Sequence, residues 1–301
     1  MIQLKDICLD FGTQKVFDHL TMSISPDQRI GLVGRNGSGK STLLKAIDGL
    51  QHLDSGTIGI TGKYVTVRDS YASILQAIEH ASIANGVSAK IKWIDTQEIE
   101  EKKITVKEVL SGIQGIIVPG GFGKRGTEGK IACIRYAREN NIPYLGLCYG
   151  FQMALIEFGR NVLKLHDANS TEINPDCKHK VIDLLPEQKA IEGLGGNMRL
   201  GAHDMDITKG TMAYTLYGKK TKVKERFRHR YEFNPDYIAQ YEEKGVVFSG
   251  RSPKAPIMQI FELKGHPYFV GTQAHPEFRS RPLTPSPLYL GFVKACVSKK
   301  D

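Results

Sequence analysis

The stretch that decides the fold is Tyr144-Leu-Gly-Leu-Cys148-Tyr-Gly-Phe-Gln152. The apolar run Ile142 to Leu147 predicts a buried strand, and Gln152 to Phe158 continues with helix formers. A strand that turns sharply through one residue into a helix lifts that side chain above the end of a parallel sheet. Gly146 and Gly150 flank Cys148 at even spacing, as so tight a turn demands. The turn also sets the thiol at a helix N-terminus, where the dipole favours a thiolate. A lone cysteine is more often a buried structural residue. Here the two glycines and the strand-turn-helix context favour a nucleophile.

Outward from the turn, strands alternate with helices. The sequence predicts strands over Thr57 to Tyr64, Lys90 to Ile94 and Gly115 to Val118. It predicts helices over Asp69 to His80, with Tyr71, Ile74, Leu75 and Ile78 on one face, over Ile131 to Asn140 and over Leu288 to Val297. That order predicts an α/β fold with a doubly wound, mostly parallel sheet and sites at the strand C-terminal ends. Beyond residue 160 strands with long loops are expected.

A nucleophilic thiol needs a base, an orienting group and an oxyanion hole. His275-Pro276-Glu277 follows an apolar strand, and Glu277 falls on the same side as His275. A carboxylate there fixes the imidazole tautomer and favours its charged form. His266-Pro267 lacks such a carboxylate and reads as a loop. The backbone N–H of Tyr149 is one natural oxyanion donor, and the glycine loop Val118-Pro-Gly-Gly121-Phe-Gly-Lys-Arg-Gly126 is the expected source of a second.

The 301 residues carry 41% hydrophobic and 24% charged side chains, as a globular protein does. No apolar run reaches the length of a membrane span, and the charged N-terminus is unlike a signal peptide. The five cysteines are odd in number and form no close pair, which argues against a disulfide framework and a zinc site and fits the cytoplasm. The net charge of +9 gathers partly in Lys219 to Arg230. A solvated face near an anionic substrate explains that run better than nucleic acid, since no nucleic-acid module accompanies it.

Near the N-terminus, Gln28 to Val33 predicts a short buried strand entering Gly34-Arg-Asn-Gly37-Ser-Gly39-Lys40-Ser41-Thr42. This is a phosphate loop in strand-loop-helix context: the glycines free backbone N–H groups to wrap a phosphate, Lys40 supplies charge and Ser41 reaches magnesium. Residues 1–57 resemble the start of an ABC-type ATPase, with Phe11 where that family stacks adenine. ATP and magnesium are therefore expected ligands of the loop. Neither the acidic strand nor the switch histidine of that family follows. Leu110-Ser-Gly-Ile-Gln114 resembles the ABC signature but runs into a strand rather than opening a helix, and is read as coincidence.

From residue 58 to 301 the chain resembles the class I glutamine amidotransferases, of flavodoxin-like architecture, and within them the glutaminase domain of the CTP synthase family. The resemblance rests on Gly146-Leu-Cys148-Tyr-Gly-Phe-Gln152, Pro119-Gly-Gly-Phe-Gly, Ala168-Asn-Ser-Thr-Glu172, Asn197-Met-Arg-Leu-Gly201, Arg228-His-Arg-Tyr-Glu232 and His275-Pro-Glu277. It implies a Cys148, His275, Glu277 triad, an oxyanion hole at Gly121 and Tyr149, and L-glutamine held by Gln152, Glu172 and Arg230. It implies no cofactor for glutamine hydrolysis, no metal, GTP as an allosteric activator with Arg199 in the loop to inspect, and amination of UTP to CTP. The synthetase domain of that family is not found in these residues, so a separate UTP- and ATP-dependent synthetase chain is the implied partner. The change of character falls at Ser55 to Ile60, as a fusion leaves it. Tyr149, where leucine is usual, and Ala274, where an aromatic is frequent, depart from the pattern.

Overall fold

The computed structural model describes residues 2–11, 14–25, 30–31, 55–62, 71–185 and 198–298. They fall into two compact units, Met1–Leu53 and Asp54–Asp301. In the first, β1 (Ile2–Phe11) pairs antiparallel with β2 (Gln14–Ile24). Of the run read as a buried strand, Ile30 and Gly31 are described; both are exposed and outside any strand. The phosphate-loop residues Gly34, Gly37, Gly39, Lys40, Ser41 and Thr42 lie outside the described residues.

The second unit is built on a nine-stranded sheet. Its first half uses β3 (Ser55–Gly62), β4 (Ser88–Asp95), β5 (Gly115–Val118) and β6 (Tyr144–Leu147). Each of β3 to β6 is separated from the next by at least one helix, which is what parallel pairing needs. The helix Ala72–Ala84 lies between β3 and β4, and Thr127–Glu139 between β5 and β6. Tyr71, Ile74 and Ile78 are buried as the periodicity predicts, and Leu75 is half-buried.

After two short strands, β7 (Asn169–Ser170) and β8 (Lys180–Asp183), come β9 (Arg199–Ile207), β10 (Lys222–His229), β11 (Glu232–Phe233), β12 (Val246–Arg251), β13 (Met258–Leu263) and β14 (Phe269–Thr272). The sheet order is β10-β9-β12-β13-β14-β6-β5-β3-β4. From β4 to β14 every pairing is parallel. From β14 to β10 every pairing is antiparallel. The sheet is thus mixed: the expected parallel, doubly wound arrangement spans β4 to β14, and an antiparallel extension runs from β14 to β10. The reason lies in the connections: β12 to β13 and β13 to β14 are joined by residues 252–257 and 264–268, too short for a crossover helix.

Helices cover both faces. Thr127–Glu139 and Tyr149–Asn161 close one core with Ile116, Val118 and Phe269. Ala72–Ala84 and Pro287–Ser298 close the other with Ile58, Ile117 and Leu147. The inner parallel strands β5, β6 and β14 are buried throughout and read as apolar runs, whereas the edge strand β4 is only partly buried and carries Lys90 and Lys92. The Leu110 to Gln114 segment is the end of a short helix and a turn with Gly112 at φ +71°, not the start of a helix. Its Gln114 side chain accepts a 2.6 Å bond from the Thr57 N–H, a structural use with no bearing on nucleotide.

Candidate active site

Three neighbouring parallel strands, β5, β6 and β14, end at the same edge of the sheet. Val118 stands beside Gly146, and Leu147 beside Thr272. The segments that leave them are the glycine loop, Cys148 and Gln273 to Glu277. Residues 119, 148 and 275, far apart in the chain, thus emerge side by side for reasons of register alone.

Cys148 sits between β6 and the helix Tyr149–Asn161 at φ 49°, ψ −96°. This left-handed backbone is costly for a residue with a Cβ, typically about 1–3 kcal/mol, and the surroundings hold it there. The Cys148 N–H donates 2.7 Å to the Thr272 carbonyl, and the Tyr144 hydroxyl donates 2.8 Å to the Gly150 carbonyl. A Cβ on Gly150 would overlap the Val118 carbonyl, and one on Gly146 would overlap the Tyr144 hydroxyl. The turn is thus clamped onto β5, which brings the glycine loop against it. A Cβ on Gly120 would lie 2.9 Å from His275 Cε1 and 3.6 Å from Cys148 Cβ. Gly120 therefore lies closer to Cys148 than Gly121, whose Cβ would meet only Tyr149 Cδ1, at 3.8 Å.

His275 is held at both its ring and its backbone. Its Nδ1 lies 2.8 Å from Glu277 Oε1, the Phe278 ring stacks on the imidazole at 5.3 Å, and its backbone N–H donates 2.8 Å to the Arg226 carbonyl. Burial pulls the imidazolium down, but hydrogen bonding to Cys148 and Glu277 outweighs it and pushes the group up to about 10. Its folded value thus lies above its ordinary 6.5. The stability it contributes is full below about pH 6.5 and is lost as pH rises through about 10. Glu277→Gln removes a charge that holds the imidazolium. Its stability deficit is expected to be largest below about pH 6.5 and to shrink toward about pH 10, read by denaturant unfolding across that range. Turnover is expected to fall by up to about 10⁴-fold, since an amide in place of the carboxylate favours the wrong imidazole tautomer.

Around this pair stand the residues that the resemblance assigns to substrate. Gln152 is buried, and its amide donates 2.9 Å to the Tyr231 carbonyl and 3.1 Å to Gln273 Oε1. Both of its donors are therefore engaged by the protein, which leaves its carbonyl oxygen. Glu172 is half-buried, and its Oε1 accepts 3.0 Å from the Gly123 N–H. Arg230 is half-buried after β10. The turn carrying it is fixed by fully buried Glu232, which accepts 2.9 Å from Arg199 Nε and lies 2.8 Å from His229 Nε2. Burial pushes the Glu232 carboxyl up, and the attraction of the neighbouring His229 and Arg199 outweighs it, so the net shift is downward. Arg199 is thus the first residue of β9, paired to Glu232, rather than a loop residue with a free head.

Tyr149, the departure from leucine, has a specific task. Its hydroxyl donates 2.7 Å to the Gly123 carbonyl and lies 3.1 Å from Thr127 Oγ1. With Glu172 on the Gly123 N–H, it holds the backbone of Gly123 on both sides and so fixes the glycine loop. Ala274 is fully buried.

The basic run serves the site differently from its sequence reading. β10 alternates, with Lys222, Lys224, Arg226 and Arg228 exposed and Glu225, Phe227 and His229 buried. Lys222 and Lys224 face Asp206 and Asp204 across the strand pair. What reaches Cys148 and His275 is backbone: the Arg226 carbonyl accepts from the His275 backbone N–H, and the Arg228 carbonyl lies 3.8 Å from Cys148 Sγ. Side-chain charge in a sequence gives no sign of this. Gln273 was also not foreseen, although a polar residue inside the apolar run from Phe269 to Ala274 is a usable signal. Among the described residues no cluster could hold a metal ion, and no helix is long and apolar enough to cross a membrane.

A thiol on a strained turn, an imidazole backed by a carboxylate and a glycine loop beside both are the arrangement that cysteine-nucleophile hydrolases use, here on an α/β sheet. The chain belongs to the class I glutamine amidotransferases: the family model of that name matches residues 66–295. Within the family it is similar to CTP synthases. That of Thermococcus kodakarensis is 53% identical over 248 residues, covering 82% of this chain and 46% of the relative. That of Bacillus subtilis is 52% identical over 241 residues, covering 80% and 44%. This chain thus spans just under half the length of these curated relatives. Among solved structures, the glutaminase domain of the Trypanosoma brucei enzyme with bound acivicin matches at TM-score 0.75 and 37% identity, covering 82% of this chain and 95% of that one.

Proposed function

We propose that this chain hydrolyses L-glutamine to glutamate and ammonia at Cys148, as the glutaminase part of a CTP synthase. Cys148 gives its proton to His275 and its sulfur attacks the side-chain amide carbon. The Tyr149 N–H and the glycine loop at Gly120 and Gly121 receive the oxyanion. Collapse of the tetrahedral intermediate sends the proton from His275 to the leaving nitrogen, so ammonia departs and a glutamyl thioester remains. Water, deprotonated by His275, then cleaves the thioester and restores the thiol. Glu277 keeps the imidazole oriented and its charged form stable. Glu172 faces the substrate ammonium, Arg230 its carboxylate, and the Gln152 carbonyl a substrate N–H.

The single observation that supports this reading most is the left-handed Cys148 turn beside the His275–Glu277 pair, on adjacent strand ends. The test is glutamate release by purified protein, with the thioester trapped by acid quench. Failure to form either with Cys148 intact would overturn the reading. Ammonia passes, in this proposal, to a UTP-aminating synthetase, with GTP stimulating release; the same assay with and without GTP checks the latter.

The proposed organisation is a segment 1–57 of ABC type and a glutaminase unit 58–301, working in the cytoplasm. Cys133, Cys148, Cys177 and Cys296 are free thiols. The phosphate-loop motif supports a second ligand, ATP with magnesium at Gly34 to Thr42. ATP binding that Lys40→Ala abolishes would support it; equal affinity in both proteins would refute it.

A further inference from the structure

We propose that Gln273 is a further catalytic residue, its side-chain amide donating to the Cys148 sulfur and stabilising the negative charge that builds there. The proposal rests on glutamine hydrolysis at Cys148 as read above. Gln273 is fully buried, two residues before His275, and its N–H donates 2.9 Å to the Gln259 carbonyl, carrying the β13–β14 pairing past the end of the strand. Its backbone is therefore as fixed as the sheet itself. Its Nε2 lies 3.5 Å from Cys148 Sγ.

An amide can be placed either way round, so the identity of the atom facing sulfur needs an independent fix. Gln152 supplies it. The Tyr231 carbonyl only accepts, so the Gln152 atom 2.9 Å from it is the nitrogen. That same nitrogen lies 3.1 Å from the Gln273 side chain, which must present its oxygen there. The remaining atom of Gln273, the one facing Cys148, is then the NH₂ group. A backbone carbonyl thus sets two amides in series and aims a donor at the reacting sulfur.

The other groups facing the sulfur are the His275 imidazole, backed by Glu277, and the Arg228 carbonyl, which repels negative charge. Once His275 has taken the proton, Gln273 is a neutral donor that stays in place through attack and through return of the thiol. A donor to a charged acceptor in a buried site is worth more than one between neutral groups. Gln152, assigned above to substrate, also acts through Gln273 in this arrangement.

The test compares wild type with Gln273→Leu and Gln273→Glu. Leucine removes the donor; glutamate keeps the shape and turns it into an acceptor. Alkylation of Cys148 by iodoacetamide at about pH 6, read by mass spectrometry of the Cys148 peptide, reports the sulfur without any need for glutamine. Both variants are expected to alkylate about tenfold more slowly. Their kcat for glutamine should fall by a similar factor, with KM changed less than about threefold. Gln152→Leu, which frees the Gln273 amide to turn, should slow alkylation in the same direction. Where the leucine variant melts early, the isosteric glutamate variant carries the comparison. Alkylation at the wild-type rate in a folded Gln273→Glu protein would overturn the role of Gln273. Absence of glutamine turnover in wild type would overturn the reading of the site instead, so the two failures are separable.

Discussion

Cys148→Ala is expected to lower glutamine hydrolysis by on the order of 10⁴-fold or more, to background, with the fold intact. No other described group is placed to form the thioester. The histidine, the carboxylate and the glycine loop would still bind and polarise the amide, but water would have to attack directly. Cys148→Ser should be nearly as inactive, because a hydroxyl is a far weaker nucleophile than a thiol beside the same imidazole. A second consequence separates strain from chemistry. Alanine keeps the Cβ and hence the cost of φ 49°, whereas glycine is at ease there. Cys148→Gly should therefore melt no lower than Cys148→Ala, despite glycine's greater freedom when unfolded. A clearly lower melting temperature for the glycine variant would mean that the turn is not strained.

Gly150→Ala carries the largest expected effect on stability. In the first turn of a helix, alanine would ordinarily be favoured over glycine by about 1 kcal/mol. Here its Cβ would overlap the Val118 carbonyl and stand 3.0 Å from Val118 Cβ. Backbone on a central strand cannot swing aside as a flexible side chain can, so the clash outweighs the propensity. The net cost should be about 3 kcal/mol, or roughly 10 °C in melting temperature for a unit of this size. Activity should fall on the order of 100-fold in the protein that remains folded, because relief of the clash moves Cys148 away from β5 and the glycine loop. Gly121→Ala is the control for stability, since its Cβ would make only an ordinary 3.8 Å contact. Calorimetry on the three proteins decides; equal melting of Gly150→Ala and wild type would show that the turn can slide.

Much of the parallel half was legible because buried strands and amphipathic helices write their periods into the residues. Gly115 to Val118 matches its strand residue for residue, and Ala72–Ala84 buries the face that was expected. The antiparallel half was not legible. Its strands between Arg199 and Leu263 carry frequent charges, because β9 and β10 expose one face, and nothing local tells a hairpin from a crossover at that length. The site divides in the same way. Cys148 announces itself through flanking glycines and His275 through a following carboxylate, since each is a pattern within a few residues. Gln273, Gly120 and the carbonyls of Arg226 and Arg228 do not, because their role depends on what lies across the sheet.

By itself, then, the sequence determined that residues 144–152 form a strand, a strained thiol turn and a helix, since glycine, cysteine and an apolar run leave the backbone few other low-energy choices. It also determined the family to which that turn belongs. The tertiary structure alone decided which residues surround the sulfur. Pairing Leu147 with Thr272 and Gly146 with Val118 brings three loops to one edge. Only there can Tyr149 pin Gly123 and a Tyr231 carbonyl orient two amides toward Cys148. Local residues fix local geometry; strand register, a property of the whole sheet, fixes which local geometries meet.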